Sequence, residues 1–117
     1  MLQLTTETTD KFAEVEDRRF IAKISDFLRQ AVPGLAKEPE PEMHATIRQL
    51  REEARGYGMT SEQAVAAFAL TAGHLGTNFV ERYRGARQIL FADTTQKQKA
   101  ELLKHFTITL LRELGKR

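Results

Sequence analysis

A long segment in the middle of this sequence carries no charged side chain: there is no Asp, Glu, Lys or Arg from Gln63 to Val80. Its first part has apolar or small residues on every side of a helix that Gly76 would end. A helix of this kind is normally buried in the middle of a bundle. Glycines and polar residues interrupt the segment too often for a membrane span. The sequence therefore predicts an all-α bundle with a central, buried third helix.

Two amphipathic helices precede this segment. The first is predicted to begin near Thr8 or Thr9, either of which can cap it, and to end at Pro33. Its apolar stripe consists of Phe20, Ile21, Ile24, Phe27, Leu28 and Ala31. The second is predicted from Pro41, which suits a first helical turn, to Gly58, which suits a helix end. Its stripe consists of Met43, Ile47, Leu50, Ala54 and Tyr57.

The start of the third helix has a capping signal. Thr60 can cap it, with Gln63 completing a capping box, and Ser61 is an alternative cap. After Gly76 the sequence allows one or two short helices with a break at Gly85.

The last helix is predicted to begin at Thr94 or Thr95 and to end at Gly115. Its apolar seam consists of Leu103, Phe106, Leu110 and Leu114, with Leu102 and Leu111 beside it. No run of residues alternates with a period of two, which excludes a sheet. We expect a single domain over residues 1–117, with residues 1–8 as a flexible N-terminus and about five helices in a compact bundle.

Composition narrows the function classes. The chain of 117 residues has no cysteine, which excludes disulfides, thiol catalysis and cysteine zinc sites. Its N-terminus lacks the basic and apolar regions of a signal peptide, so we expect a cytoplasmic protein. Residues 1–62 hold 9 basic and 12 acidic side chains, whereas residues 63–117 hold 9 and 4. The basic side chains of the second half either lie on a solvated helix surface or attract an acidic partner or nucleic acid.

A helix-turn-helix is suggested by the glycine turn and capped helix at 57–76. The second helix would have to present Arg, Lys, Asn or Gln to the base edges of the major groove. It offers Gln63, with Glu62 facing the phosphates, and no basic residue for phosphate contact. We therefore expect no DNA recognition by this element.

No arrangement of residues indicates an enzyme. His44, His74 and His105 lie on three different predicted helices without zinc-motif spacing. Ser25 and Ser61 lack a nucleophile-elbow context. We predict no catalytic, cofactor-binding or metal-binding residues.

The segment "NFVERYRGARQILF" combines aromatic and basic side chains. Tyr and Arg are enriched at protein interfaces, where they combine contact area with directed hydrogen bonds. The predicted partner-binding residues are Phe79, Arg82, Tyr83, Arg84, Arg87 and Phe91. A second choice on the first helix is Arg18, Arg19 and Arg29. The alternative is that the aromatic residues belong to the core and the arginines are merely solvated.

Several segments resemble, in order, a family of small helical proteins of Gram-negative bacteria. They are "RRF" at 18–20, "FLRQAVP" at 27–33, "IRQLREEARGYGMTSEQAV" at 47–65, "LGTNF" at 75–79 and "IL" at 89–90. Members of that family are encoded near type VI secretion spike proteins and their effectors. The resemblance covers residues 12 to 114. The family has acidic residues and a tryptophan after the "LG…F" element, where this chain has Arg82, Arg84 and Arg87 and no Trp.

The resemblance implies a protein-binding accessory factor of a secreted effector or spike component: an adaptor, a chaperone or an immunity-like protein. No membrane contact is expected, and a homo-oligomer is left open. The rival function is nucleic-acid binding through the basic C-terminal half.

Overall fold

The computed structural model describes residues 6–115, which form six α-helices and no strand. The helices are α1 (Thr6–Ala31), α2 (Glu40–Gly56), α3 (Glu62–Leu75), α4 (Phe79–Arg82), α5 (Arg84–Phe91) and α6 (Gln96–Gly115), with a short 3-10 turn at Pro33–Leu35. The predicted all-α bundle is confirmed, with two short helices after Gly76, as the sequence allowed. The predicted flexible segment 1–8 lies partly outside the described residues, and its last part belongs to α1. None of the described helices combines the length and apolar character needed to cross a membrane.

Helix α3 is the centre of the bundle, as predicted. It packs against α1, α2 and α6. Its fully or nearly buried residues are Ala64, Val65, Ala67, Phe68, Ala69, Thr71, Ala72 and Leu75. The absence of charge in this segment therefore reflects contact with other helices on several sides.

The neighbours of α3 run in both directions. Helix α2 runs antiparallel to it: the short connection 57–61 joins adjacent ends, and Met43 near the start of α2 lines the same cleft as Gly73 near the end of α3. Helix α6 is parallel to it: Gln96 contacts the start of α3 through Ser61, and Thr107 lies 2.8 Å from Thr71 ten residues further along α3. Helices α4 and α5 form the crossover between these parallel helices.

The caps of α3 and α6 explain where these helices begin. Ser61, the alternative cap, accepts a hydrogen bond from the Ala64 N–H at 3.1 Å, so the prediction of Thr60 is wrong. The Thr60 N–H instead donates to the Gln96 side chain at 2.8 Å, which links the starts of the two helices. Thr95 begins α6 through a capping box, accepting from the Gln98 N–H at 3.1 Å while the Gln98 side chain accepts from the Thr95 N–H at 3.0 Å.

The break between the two short helices falls at Tyr83, and the prediction of Gly85 is wrong. Tyr83 has an extended backbone conformation (φ −119°, ψ 110°), whereas Gly85 lies within the first turn of α5. Glycine is needed there for space: a Cβ atom would lie 2.7 Å from Cε2 of Phe106 on α6. The glycine thus permits close contact between α5 and α6.

The predicted apolar stripes of α1 and α6 each include a residue that is exposed and lies outside the core. On α1 the buried side is formed by Ile21, Ile24 and Leu28, while Phe27 is 39% exposed at its edge. On α6 the seam is buried at Leu103 but exposed at Leu114, since the end of α6 passes beyond the end of α3. Periodicity identified both helices but not where their packing partners end.

Candidate partner-binding surface

Helix α5 is strongly amphipathic, and its outer side carries both positive charge and an aromatic ring. The inner side buries Ala86 and Leu90. The outer side presents Arg84, Arg87, Gln88 and Phe91, all exposed, and we call these four residues the α5 face. Their spacing of three, four and seven residues from Arg84 places them along one side of the helix.

Phe91 is the most exposed large apolar side chain among those that the structure describes, with 71% of its surface accessible. Its ring lies edge-on to Tyr57, with 5.6 Å between the ring centroids and 87° between the planes. Tyr57 in turn lies beside the buried Phe68, at 6.1 Å between centroids. Phe91 therefore contacts the core on one side through Tyr57, while most of its ring is exposed to solvent.

The arginines of the α5 face differ from most of those on α1 and α2. Five arginines on those helices lie within 4.0 Å of a carboxylate: Arg18, Arg19, Arg48, Arg51 and Arg55. Among the side chains that the structure describes, no carboxylate lies within that distance of Arg84 or Arg87. Two full positive charges therefore lie near an exposed aromatic ring, and neither has a carboxylate partner among the described side chains.

The structure brings together only part of the predicted partner-binding set. Arg84, Arg87 and Phe91 share the α5 face. Phe79 is completely buried, with 5.0 Å between the centroids of its ring and that of Phe68. The prediction that it lies on the partner-binding surface is therefore wrong, and it is a core residue. A four-residue helix has too little periodicity to indicate which aromatic side chain faces inward.

The remaining predicted residues lie beside the α5 face. Tyr83 is half-buried, and its ring packs edge-on against Phe106 at 6.3 Å. The guanidinium of Arg82 lies over the Tyr83 ring, 5.5 Å from its centroid. Arg82 thus already makes a cation–π contact within its own chain.

The second-choice arginines on α1 are engaged within the chain. Arg18 and Arg19 form exposed ion pairs with Glu14 and Glu16, each at 3.7 Å. Arg29 donates a hydrogen bond to the carbonyl oxygen of Ala36 at 3.0 Å. These contacts leave the α5 face as the stronger candidate.

An apolar cleft of about 200 Å³, which the sequence patterns did not reveal, lies where the end of α1, the 3-10 turn, α2 and α3 meet. Its walls are mostly aliphatic or small, and its rim carries a carboxylate and two hydroxyls. The lining residues are Leu28, Leu35, Glu38, Met43, Thr46, Leu50, Ala69, Ala72, Gly73, Gly76 and Thr77. The small residues of α3 were a signal for it, but they equally indicate close helix packing.

The three histidines do not converge on a common site. His44 lies 3.6 Å from Glu40 one turn earlier on α2. Within residues 6–115, no group of three or more His, Asp and Glu side chains is arranged to hold a metal ion. Helix α3 is largely buried, so it is not free to enter a DNA groove.

Comparison of the chain with known protein families, with curated proteins and with solved structures finds no match.

Proposed function

We propose that this chain is a non-enzymatic, protein-binding accessory factor that contacts its partner through the α5 face. The observation that carries this proposal is the exposed Phe91 near Arg84 and Arg87, which pair with no carboxylate among the described side chains of residues 6–115. Aromatic and arginine side chains dominate the binding energy of protein interfaces, because they combine large contact area with directed polar contacts. A partner with carboxylates around an apolar depression would complement this face.

The resemblance to proteins encoded near type VI secretion genes supports a more specific role. On that basis the partner is a secreted effector or a spike component, and the chain acts as its adaptor, chaperone or immunity-like protein in the cytoplasm. The mechanism is stoichiometric: the α5 face covers part of the partner and stabilises or blocks it. No bond is made or broken.

The test is capture of partners from the native cell with tagged chain, followed by reversal of the two arginines (Arg84→Glu with Arg87→Glu). We expect the reversal to abolish retention of the specific partner, because opposite charges would become like charges across the interface. The matched control reverses two exposed basic residues on α6 (Lys97→Glu with Arg112→Glu) and should retain the partner. Retention by the α5-face variant equal to that by the control would refute this surface.

Nucleic-acid binding is the second candidate, favoured by the excess of 9 basic over 4 acidic side chains in residues 63–117. Binding to phosphates releases counterions, so affinity for a generic duplex should fall by about a thousandfold or more between low and moderate salt. An interface centred on Phe91 should change much less over the same range. A shift of generic DNA at physiological salt by the purified chain would favour this second function over the first.

A further inference from the structure

We propose that two copies of this chain bind head to tail, with Phe91 of one copy inserted into the apolar cleft between α1, α2 and α3 of the next. The two features complement each other in size and in charge. This contact goes beyond partner binding, because it needs no other molecule.

The size of the cleft fits an aromatic ring. Its volume is about 200 Å³, and four of its lining side chains are Leu28, Leu35, Met43 and Leu50. An apolar cavity of about 150 Å³ is known to accept benzene, so this cleft has room for the phenyl group of a phenylalanine. Phe91 is available to fill it, since 71% of its surface is exposed.

The α5 face that carries the ring is basic, whereas the one charged side chain among the residues that line the cleft, Glu38, is acidic. Arg87 lies one helical turn before Phe91, and Arg84 lies one turn before Arg87. Glu38 lines the cleft, and Glu42 directly precedes the lining residue Met43. In the part of the chain that the structure describes, neither Glu38 nor Glu42 has a basic side chain within 4.0 Å. The arginines of one copy would therefore meet the carboxylates of the other.

The contact has to form between copies because the two features are separated within one copy. The cleft is bordered by α2 at Met43 and Leu50, whereas Phe91 packs on Tyr57, which follows the C-terminal end of α2. A contact between two different surfaces leaves one of each free at the ends, so association continues beyond a dimer unless it closes into a ring. Because it covers Phe91, self-association would compete with binding of an acidic partner.

Sedimentation velocity of the purified full chain provides the test, over about a hundredfold range of concentration. We expect the average mass to increase with concentration and to pass beyond that of a dimer. Phe91→Ala should weaken the association at least about tenfold, since it removes the ring from the cleft. Leu102→Ala, a control at another exposed apolar position, should associate like the original chain. A chain that stays monomeric throughout, or association that Phe91→Ala does not weaken, would overturn the proposal.

A charge exchange tests the geometry. One variant carries Arg84→Glu with Arg87→Glu, and the other carries Glu38→Lys with Glu42→Lys. Each alone should be monomeric because it brings like charges together, whereas the mixture should associate because each altered surface meets an opposite charge. Circular dichroism confirms that both variants keep their helical content. A mixture that stays monomeric would contradict the proposed pairing.

Self-association and partner binding can be separated experimentally. The variant with Glu38→Lys and Glu42→Lys leaves the α5 face intact, so it should still capture the cellular partner after it has lost self-association. If it captures the partner but the original purified chain never associates, only the self-association fails. If the chain associates as described but no partner depends on Arg84 and Arg87, only the proposed function fails.

Discussion

Replacing Thr71 or Thr107 by valine should lower the free energy of unfolding by about 1 kcal/mol each, and replacing both should lower it by about 2 kcal/mol. The two hydroxyls meet in the α3–α6 interface with 2.8 Å between their oxygens, and both residues are almost completely buried. Substitutions of two residues in direct contact normally have a coupling energy of about 0.5–3 kcal/mol. Here we expect instead that the effects of the two substitutions nearly add.

The two effects should add because the two hydroxyl groups together have only two hydrogens to donate. Thr71 Oγ1 also lies 3.1 Å from the carbonyl oxygen of Ala67, and Thr107 Oγ1 lies 2.7 Å from that of Leu103. Three contacts therefore compete for two hydroxyl hydrogens, and only two hydrogen bonds can exist at once. Each substitution removes one hydrogen and one bond, while the other hydroxyl still donates to the carbonyl of its own helix. The coupling energy should consequently be below about 0.5 kcal/mol.

The measurement is urea unfolding followed by far-UV circular dichroism for the original chain, both single variants and the double variant. Valine keeps the branched shape of threonine, so helix propensity and packing volume change little. Thr109→Val, at an exposed position on α6, is the control and should change the free energy of unfolding by no more than about 0.5 kcal/mol. A coupling of about 1 kcal/mol or more would refute the hydrogen count, because the contact between the hydroxyls would then contribute independently of the carbonyls.

Three further changes in stability follow from the structure, each measured by the same unfolding experiment. Ser61→Ala should cost about 1 kcal/mol because it removes the cap on the Ala64 N–H; an unchanged midpoint would show that water replaces the cap. Gly85→Ala should cost about 1–3 kcal/mol because the new methyl group would meet the Phe106 ring, and a gain would mean that the ring moves aside freely. Gly56→Ala should instead raise the free energy of unfolding by about 0.4–1 kcal/mol, since Gly56 has open space for a Cβ atom and no positive φ. A lower free energy of unfolding would contradict this prediction.

Sequence patterns located the helices well because their ends carry local chemical signals. Gly58 and Gly76 both adopt positive φ, at 77° and 102°, in a range that favours glycine over other residues. The central position of α3 was also predictable, since an uncharged helix has no side that can face water. These properties depend on residues close together in the chain.

Features that depend on distant residues were not predictable in the same way. Whether Phe79 faces the core depends on the position of Phe68 on another helix. The requirement for Gly85 comes from the ring of Phe106 on α6, which no local pattern indicates. The apolar cleft likewise exists only because four separate segments meet without filling the space between them. Local patterns therefore predict Arg84, Arg87 and Phe91 as partner-binding residues, which stays a prediction, but they do not indicate the cleft.

The parallel arrangement of α3 and α6 has a consequence for synthesis of the protein. Helix α3 ends at Leu75, but Thr107, which covers Thr71, emerges from the ribosome only after about 30 more residues have been added. At about 5–20 residues per second, the apolar side of α3 stays without its permanent cover for roughly 2–6 seconds. During that interval the nascent chain is exposed to aggregation and to chaperones, and folding is complete only when α6 docks.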